Sequence, residues 1–404
     1  MSRLVRSALA TGVGAAIALG AAAPVTTSAS AAPAPVVAAA PAPQVPAAAP
    51  GRTKGKDLRR VVYVGNNWDG TADVLLPGSF KRIGRLDIVP DYDERIAEIS
   101  LNPYRLVYYL AIQQLIGEGH DQLVDDMYSS NDGRLLIVSR PSFADVVALD
   151  LATGEIVWRF AVDGESGGSP HESVYLDDGE TILHASIGMV YSPLDDPALD
   201  ATKQERVLQL VDADTFEIIR RYDLRAALDE AGLEDVSTAV RPLTHTPDDD
   251  TFVFQLSFFH GFVVMDRRTG RITKVKRLPN LIPDTPRELY LLDSAHHGIS
   301  MDPTGKHICV AGTMSDYATV VSYPRMKRSK LLKGGLKPYW VTQSWNGKHC
   351  YISWSGSDTV SKISYRKAKI VRTTDVGYHP QRVRNGFIQR SYVADLPQDQ
   401  PGHG

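Results

Sequence analysis

One phrase recurs along this chain at intervals of about forty to seventy residues, a spacing that belongs to repeat architectures. A small polar patch leads into a short apolar strand, then a D-G-type turn, a second strand, and a third strand ending in D-x-x-T. It reads Pro170-His171-Glu172-Ser173-Val174 with Asp178-Gly179, and again His296-His297-Gly298-Ile299 with Thr304-Gly305. It returns as Pro338-Tyr339-Trp340-Val341 with Asn346-Gly347. Four short strands per repeat make each copy one blade of a β-propeller. The expected fold is therefore all-β: a single β-propeller of four-stranded antiparallel blades, six by count, with seven as the alternative.

The turns serve as a ruler. One blade carries Asn131-Asp132-Gly133, the next Asp178-Gly179, a third Pro247-Asp248-Asp249, and the fourth and fifth follow Gly305 and Gly347. The strands between them alternate or are rich in β-branched and aromatic residues, bounded by Gly, Asp, Asn or Pro. Asp150, Asp212 and Asp266 of the D-x-x-T turns read as caps that bond their own backbone, not as catalytic acids. The chain begins inside a blade, because Val61–Asn66 resembles a second strand. Its missing first strand lies at the far end, where His379-Pro380-Gln381-Arg382-Val383 repeats the opening phrase. Both chain ends then share one blade and close the ring, removing an exposed edge. A seventh blade needs strands from Asp91–Leu101 or from the tail after Gly386.

Three insertions interrupt the pattern. Asn102-Pro103 reads as a helix cap and first residue, with Leu106, Val107, Leu110 and Ala111 as an apolar face up to Gly117. Tyr191–Lys203 is a polar loop containing proline, and Arg225–Gly232, with Leu224 before it, reads as a short helix. Long insertions over one face of a propeller are candidates for a lid.

The first residues carry an address. Arg3 and Arg6 precede an apolar run from Ala8 to Ala23, and Ala29-Ser30-Ala31 offers a small-x-small cleavage site. Residues 1–31 read as a secretory signal peptide, too short and too rich in Ala and Gly for a membrane span. No cysteine lies near it, so a lipid anchor is not expected. Residues 32–56, mostly Ala, Pro and Val, read as a disordered spacer. The propeller is expected over 57–396, with 397–404 a disordered tail. The protein is expected to be secreted and monomeric, with no membrane span.

The formal net charge of −3 gives no reason to expect a nucleic-acid partner. Local basic runs, Arg325–Lys337 and Lys362–Arg372, read as solvated outer strands or as contacts to an anionic envelope polymer. The two cysteines, Cys309 and Cys350, fall in second strands of successive blades and differ by one residue when counted from their turn glycines. Opposite parity points them at facing surfaces of neighbouring blades, as a bridge requires. Export would let it persist; two buried free thiols are the alternative.

Tyr63-Val64-Gly65-Asn66, the P-x-x-V opening, the D-G turn and the D-x-x-T ending together resemble the YVTN-type β-propeller repeat family. Val376-Gly377-Tyr378-His379-Pro380-Gln381-Arg382-Val383 is similar to that family's junction between blades. The resemblance spans nearly the whole chain after the spacer. It implies a secreted bacterial propeller, in a group that includes surface proteins, binding proteins and relatives of quinoprotein dehydrogenase subunits. Val240–Thr246 and Val124–Ser130 depart from the repeat.

Propeller topology sorts the polar residues. The connection into strand one and the hairpin joining strands two and three share a face, and strand one is innermost. Asp125, Glu172, Arg241, His297, Tyr339 and Gln381 then rim one mouth of the channel, with His171 and His296 one residue further back. His120 and His379 lie in the approaches, and the hairpins add Asn67, Trp68, Arg140, Tyr191, His260 and Trp354. Six of the eleven histidines thus map to one mouth. Imidazole and carboxylate together suit a divalent metal such as Zn, Cu or Mn, with His171, His296, His297 and Glu172 as ligands. Without a metal, Asp125, Arg140, Glu172, Arg241, His297 and Tyr339 would line a ligand pocket. A structural reading has the histidines bonding carbonyls of adjacent blades. No phosphate loop, nucleophile elbow or C-x-x-C pair is present. Gly164–Gly168 reads as a flexible turn between blades.

Three functions stay open on these residues. A binder would hold a small molecule, glycan or envelope protein at the mouth. A metal-dependent lyase, hydrolase or oxidoreductase would use the same groups, with Arg241 or Arg140 steadying an anionic substrate. An envelope scaffold would have no small-molecule site.

Overall fold

The computed structural model describes residues 57–161, 170–187, 206–215, 217–290 and 293–403. The signal peptide and spacer, the Gly164–Gly168 turn and the Tyr191–Lys203 loop lie outside the described residues, as does the side chain of His171.

Six four-stranded antiparallel sheets form a six-bladed β-propeller. Listed from the axis outward, blade 1 joins Pro380–Gln389 to Leu58–Asn66, Thr71–Leu75 and Arg82–Asp87. Blade 2 runs from Met127–Ser129 through Leu135–Arg140 and Asp145–Asp150 to Ile156–Ala161. Blades 3 to 6 begin with inner strands Pro170–Tyr175, Val240–His245, Ile299–Met301 and Pro338–Gln343. Blade 1 closes the ring as expected: Val64 pairs with Val383 and Leu58 with Gln389 along one continuous antiparallel ladder. Apolar side chains of successive blades pack face to face between the sheets, as in the cluster of Val62, Val64, Trp340, Tyr351 and Val383.

The segment offered as a seventh blade is helical. Tyr92–Ser100 (α1) buries Arg95 and Ile99, four residues apart on one helical face. Pro103–Ala111 (α2) follows, with the Asn102 side chain accepting from Tyr104 N at 3.1 Å and Arg105 N at 3.3 Å. Its buried side is Tyr109 with Leu106, whereas Val107 and Leu110 of the expected apolar face are 63% and 44% exposed. Asp121 holds both helices, accepting from Tyr92 Oη at 2.8 Å and Tyr109 Oη at 2.5 Å. Leu224–Glu230 (α3) confirms the other short helix, capped by Asp223. Among the described residues no helix is long and apolar enough to cross a membrane.

Residues 397–403, read as a disordered tail, lie instead along blade 1. Arg85 N donates to Pro397 O at 2.8 Å, and the His403 ring stacks on Tyr92 with centroids 4.9 Å apart. The free edge of the outer strand supplies the backbone partners, and Leu396 fills the space that a side chain at Gly84 would occupy, 2.7 Å from that position. The D-x-x-T aspartates cap their own turns: Asp266 accepts from Thr269 N at 2.6 Å and Thr269 Oγ1 at 2.7 Å.

A recurring irregularity sits at the opening of the inner strands. Register shifts fall between Pro170 and Glu172, Val240 and Leu243, Pro338 and Val341, and opposite Val64/Asn66 in blade 1. A bulge takes backbone groups out of the ladder, and buried groups of that kind need other partners. Neighbouring blades bond the backbone at these openings, including those of blades 2 and 5, whose ladders are unshifted. Glu172 of blade 3 accepts Leu243 N at 2.8 Å, Ser353 of blade 6 donates to Gln381 O at 2.6 Å, and Asn67 of blade 1 accepts Val124 N at 3.1 Å. At blade 5 the Gln255 amide donates to Gly298 O at 3.1 Å and accepts from Gly298 N at 2.8 Å.

Cys309 and Cys350 form a disulfide between blades 5 and 6, with Cα atoms 6.5 Å apart and a sequence separation of 41. Closing a loop of that length is worth about 4 kcal/mol in the chain-entropy account. Denaturant unfolding with and without dithiothreitol, or of Cys309→Ala/Cys350→Ala, is expected to show a loss of that order. An unchanged unfolding free energy would mean that the bridge adds nothing to the ring.

Candidate functional site

The inner strands bring polar side chains to the axis, where most of them pair with one another, although Arg382 Nη1 is buried without a hydrogen-bond partner. Arg382 donates to Asp125 O at 2.8 Å and to its carboxylate at 2.9 Å, and its guanidinium lies 3.7 Å from the Trp340 ring centre. Arg384 grips both oxygens of Asp126 at 2.8 and 2.6 Å and donates to Tyr128 Oη at 3.0 Å. Arg241 donates to Ser257 Oγ at 2.9 Å and lies 3.5 Å from Asp293. His297 stacks on Tyr339 with ring centres 4.1 Å apart.

The expected mouth residues Glu172, Arg241, His297 and Tyr339 do gather here, joined by Arg382 and Trp340, yet all six are buried. The axis at this level is a packed ion-pair and ring-stacking network. Asp125 alone of the expected set keeps substantial exposure, 40% of its side chain. Burial pushes the Glu172 carboxyl up to about 7, opposed by Arg384 and its bond from Leu243 N.

Arg140 does not join that group. It holds Asp145 at 2.7 and 2.8 Å and reaches Asp91 at the start of α1, with Phe143 beneath it at 5.1 Å. Its role is to clamp the helical insertion onto blade 2.

The histidines divide into separate settings. Trp68 is sandwiched between His120 and His379, at centroid distances of 3.9 and 3.8 Å. Buried His296 meets Tyr317 Oη at 3.0 Å; that hydroxyl gives its proton to Pro279 O, so Nε2 of His296 is the donor. His260 Nε2 lies 2.9 Å from Tyr290 Oη. Burial pushes His296 and His379 down to about 3 and His260 to about 4, and His297 also lies well below its usual value through burial and the nearby Arg382 and Arg241. The rings are neutral at pH 7, as metal ligands must be, but Arg382 and Arg241 crowd His297 and disfavour a cation beside it.

Among the described residues one set of potential metal-ligating groups converges, and it is on the opposite face: Asp177, His245 and Asp249 at the one–two turns of blades 3 and 4. Asp249 is already engaged there. It accepts the backbone N–H groups of Asp177 and Asp178 at 3.1 and 3.0 Å and lies 2.7 Å from His245 Nδ1. That arrangement latches two blades together.

Open space lies off the axis. A cavity of about 410 Å³ opens beside the two–three hairpin of blade 4, lined by Ser257, Phe258, Phe259 and His260, by Asp235–Ser237, and by Arg277, Leu278, Asn280 and Arg287. The Arg287 guanidinium lies 3.8 Å from the Phe258 ring centre and that of Arg277 5.2 Å from Phe259. This hairpin departs from those of blades 2, 5 and 6. Blades 2, 5 and 6 turn through a 3-10 segment closed by Ala144, Asp316 or Asp358 in the left-handed region. Blade 4 instead places Phe258 at φ 60°, a costly conformation for a bulky side chain. Ser257 connects the cavity to Arg241 of the axis. A second space of about 370 Å³, on the rim between the outer strands of blades 6 and 1, is edged by Lys81, Arg82, Arg85 and Arg372. It has no aromatic wall, and Arg82 and Arg85 are paired with buried Asp73.

Comparison with protein families and with curated proteins finds no match to this chain.

The buried neutral imidazoles set a pH dependence. A histidine whose folded value lies below its unfolded 6.5 contributes stability that is full above pH 6.5 and lost as pH falls toward the folded value. His260, His296 and His379 all act in that direction. Glu172, raised to about 7, acts oppositely: its cost of ionisation is relieved on going from pH 7 to 4.5. Three imidazoles outweigh one carboxyl, so the melting temperature is expected to fall from pH 7 to pH 5. His379→Asn, which suits the left-handed backbone at φ 56°, should flatten the slope. A melting temperature that is level or rising over that interval would contradict the assignment.

Proposed function

We propose that this protein is an exported binding propeller that holds a small molecule in the blade-4 cavity, on the face where the inner strands open. One observation carries the reading. A bulky aromatic residue, Phe258, is held in a strained backbone conformation at the wall of a cavity large enough for a metabolite-sized ligand. Strain of this kind persists where the surrounding structure enforces it, and it clusters at ligand clamps. The departure of this hairpin from those of blades 2, 5 and 6 supports the same reading.

The pairing on the axis weighs against a metal-dependent enzyme at that position. Glu172 is spent on Leu243 N, and His296 and His297 are engaged by Tyr317 and Tyr339. A cation placed among them would face two guanidiniums. The binding reading therefore moves the ligand from the axial mouth to the neighbouring hairpin, with Arg241 behind it through Ser257.

Thermal-shift screening of a metabolite library, repeated on Phe258→Gly, tests the site. Glycine keeps the left-handed backbone and removes the aromatic wall. Hits that raise the melting temperature of the native chain should lose about tenfold or more in affinity in the variant. Hits that bind both forms equally would place the site elsewhere.

Export is proposed from Arg3, Arg6, the Ala8–Ala23 run and the Ala29-Ser30-Ala31 sequence, and the buried disulfide supports it, since such bridges persist in oxidising compartments. The YVTN-type resemblance agrees with this placement. Expression of the full chain in a bacterial host should yield a processed form outside the cytoplasm that begins near Ala32. Retention of the unprocessed chain in the cytoplasm would count against it.

A further inference from the structure

We infer that the blade-4 cavity takes a small organic acid: a carboxylate on a planar aromatic or unsaturated body. The inference rests on the cavity being the binding site.

The charge of the walls is the first ground. Arg277 and Arg287 line the cavity against one acid, Asp235. Among the described residues Arg277 has no ion pair and no hydrogen bond; its one partner is the face of Phe259. A guanidinium parked over an aromatic face keeps its N–H edge directed away from the ring, ready for a two-point bond to a carboxylate. A basic ligand would meet two guanidiniums at close range.

The neutral donors agree in kind. His260 uses Nε2 toward Tyr290 Oη, and its Nδ1 is buried without a hydrogen-bond partner. Its pairing with Tyr290 fixes the ring at the cavity wall, beside Phe258 and Phe259. Asn280 Oδ1 is held by Ile282 N at 2.9 Å, which leaves its NH₂ group to donate. Ser237 and Ser257 add hydroxyls, although Ser257 Oγ already accepts from Arg241. Apart from the Asp235 carboxylate, the charged and amide side chains of the lining, Arg277, Arg287 and Asn280, offer donors. An anion satisfies them, and a ligand offering donors does not.

The walls set the body of the ligand. Phe258 and Phe259 stand side by side with Leu278 in a space of about 410 Å³. Flat rings placed against Phe edges and guanidinium planes gain both dispersion and cation–π attraction. Saturated polyols, such as sugars, would bring many hydroxyl donors to side chains that, Asp235 apart, offer donors themselves.

Isothermal titration of the processed chain tests the class with matched probes: benzoate and 2-naphthoate, their primary amides, and the corresponding benzylic amines. The acids are expected to bind, with the amides about 10- to 100-fold weaker and the amines weaker still. Arg277→Met should erase the difference between acid and amide with little change in the melting temperature of the free protein, because Arg277 is exposed and methionine keeps an apolar contact with the Phe259 face. Amides binding as tightly as acids, amines binding best, or discrimination surviving in Arg277→Met would each overturn the acid class while leaving the cavity in place. If no member of any series binds, the cavity reading falls, and this inference falls with it.

Discussion

The irregular opening of the inner strands, bulged in four of the six blades, is the constraint on which the rest depends. It turns the strand toward the axis and in doing so leaves backbone donors and acceptors outside the ladder. Buried backbone groups at these openings need partners, in the bulged blades and the unshifted ones alike, and the partner comes from the adjoining blade: Glu172 for Leu243, Asn67 for Val124, Gln255 for Gly298, Ser353 for Gln381. These bonds make neighbouring sheets mutually dependent. They also consume polar side chains that a casual reading of the mouth would assign to a ligand.

The same economy fills the axis. Blade 1 directs Arg382 and Arg384 to its two neighbours, where they pair with Asp125 and Asp126 of blade 2 and stack on Trp340 of blade 6. Ring closure and axial filling are therefore one event, because both arginines belong to the strand that completes the first blade. Chemistry that needs access must lie away from this network. The blade-4 hairpin provides such a place, because its altered turn holds Phe258 and His260 over a cavity instead of a packed junction.

Much of the fold was legible because it follows from local patterns. Turn residues marked the blades, the opening phrase at His379–Val383 disclosed the shared blade, and the cysteine parity pointed to facing surfaces. The site was legible only in part. Counting two residues back from each apolar position assumes an unbroken strand, so the bulge shifted the count in blade 1 and selected Gln381 where Arg382 and Arg384 reach the axis. The alternation Arg382-Val383-Arg384 was the available signal. Arg140 and α1 were misjudged together, since a buried arginine at Arg95 breaks the apolar pattern that would have announced the helix. The cavity was not legible at all. Phe258, Arg277 and Arg287 come from separate segments, and their meeting depends on a turn geometry that no spacing rule encodes.

The central claim is that access lies beside the axis and not through it. A crystal of the processed protein soaked in 2-naphthoate tests this most directly. The account requires difference density with the carboxylate at Arg277 and Arg287 and the rings against Phe258, while Arg382 remains stacked on Trp340. Density for the acid on the axis at Arg382 and Arg384, with the hairpin cavity empty, would contradict it.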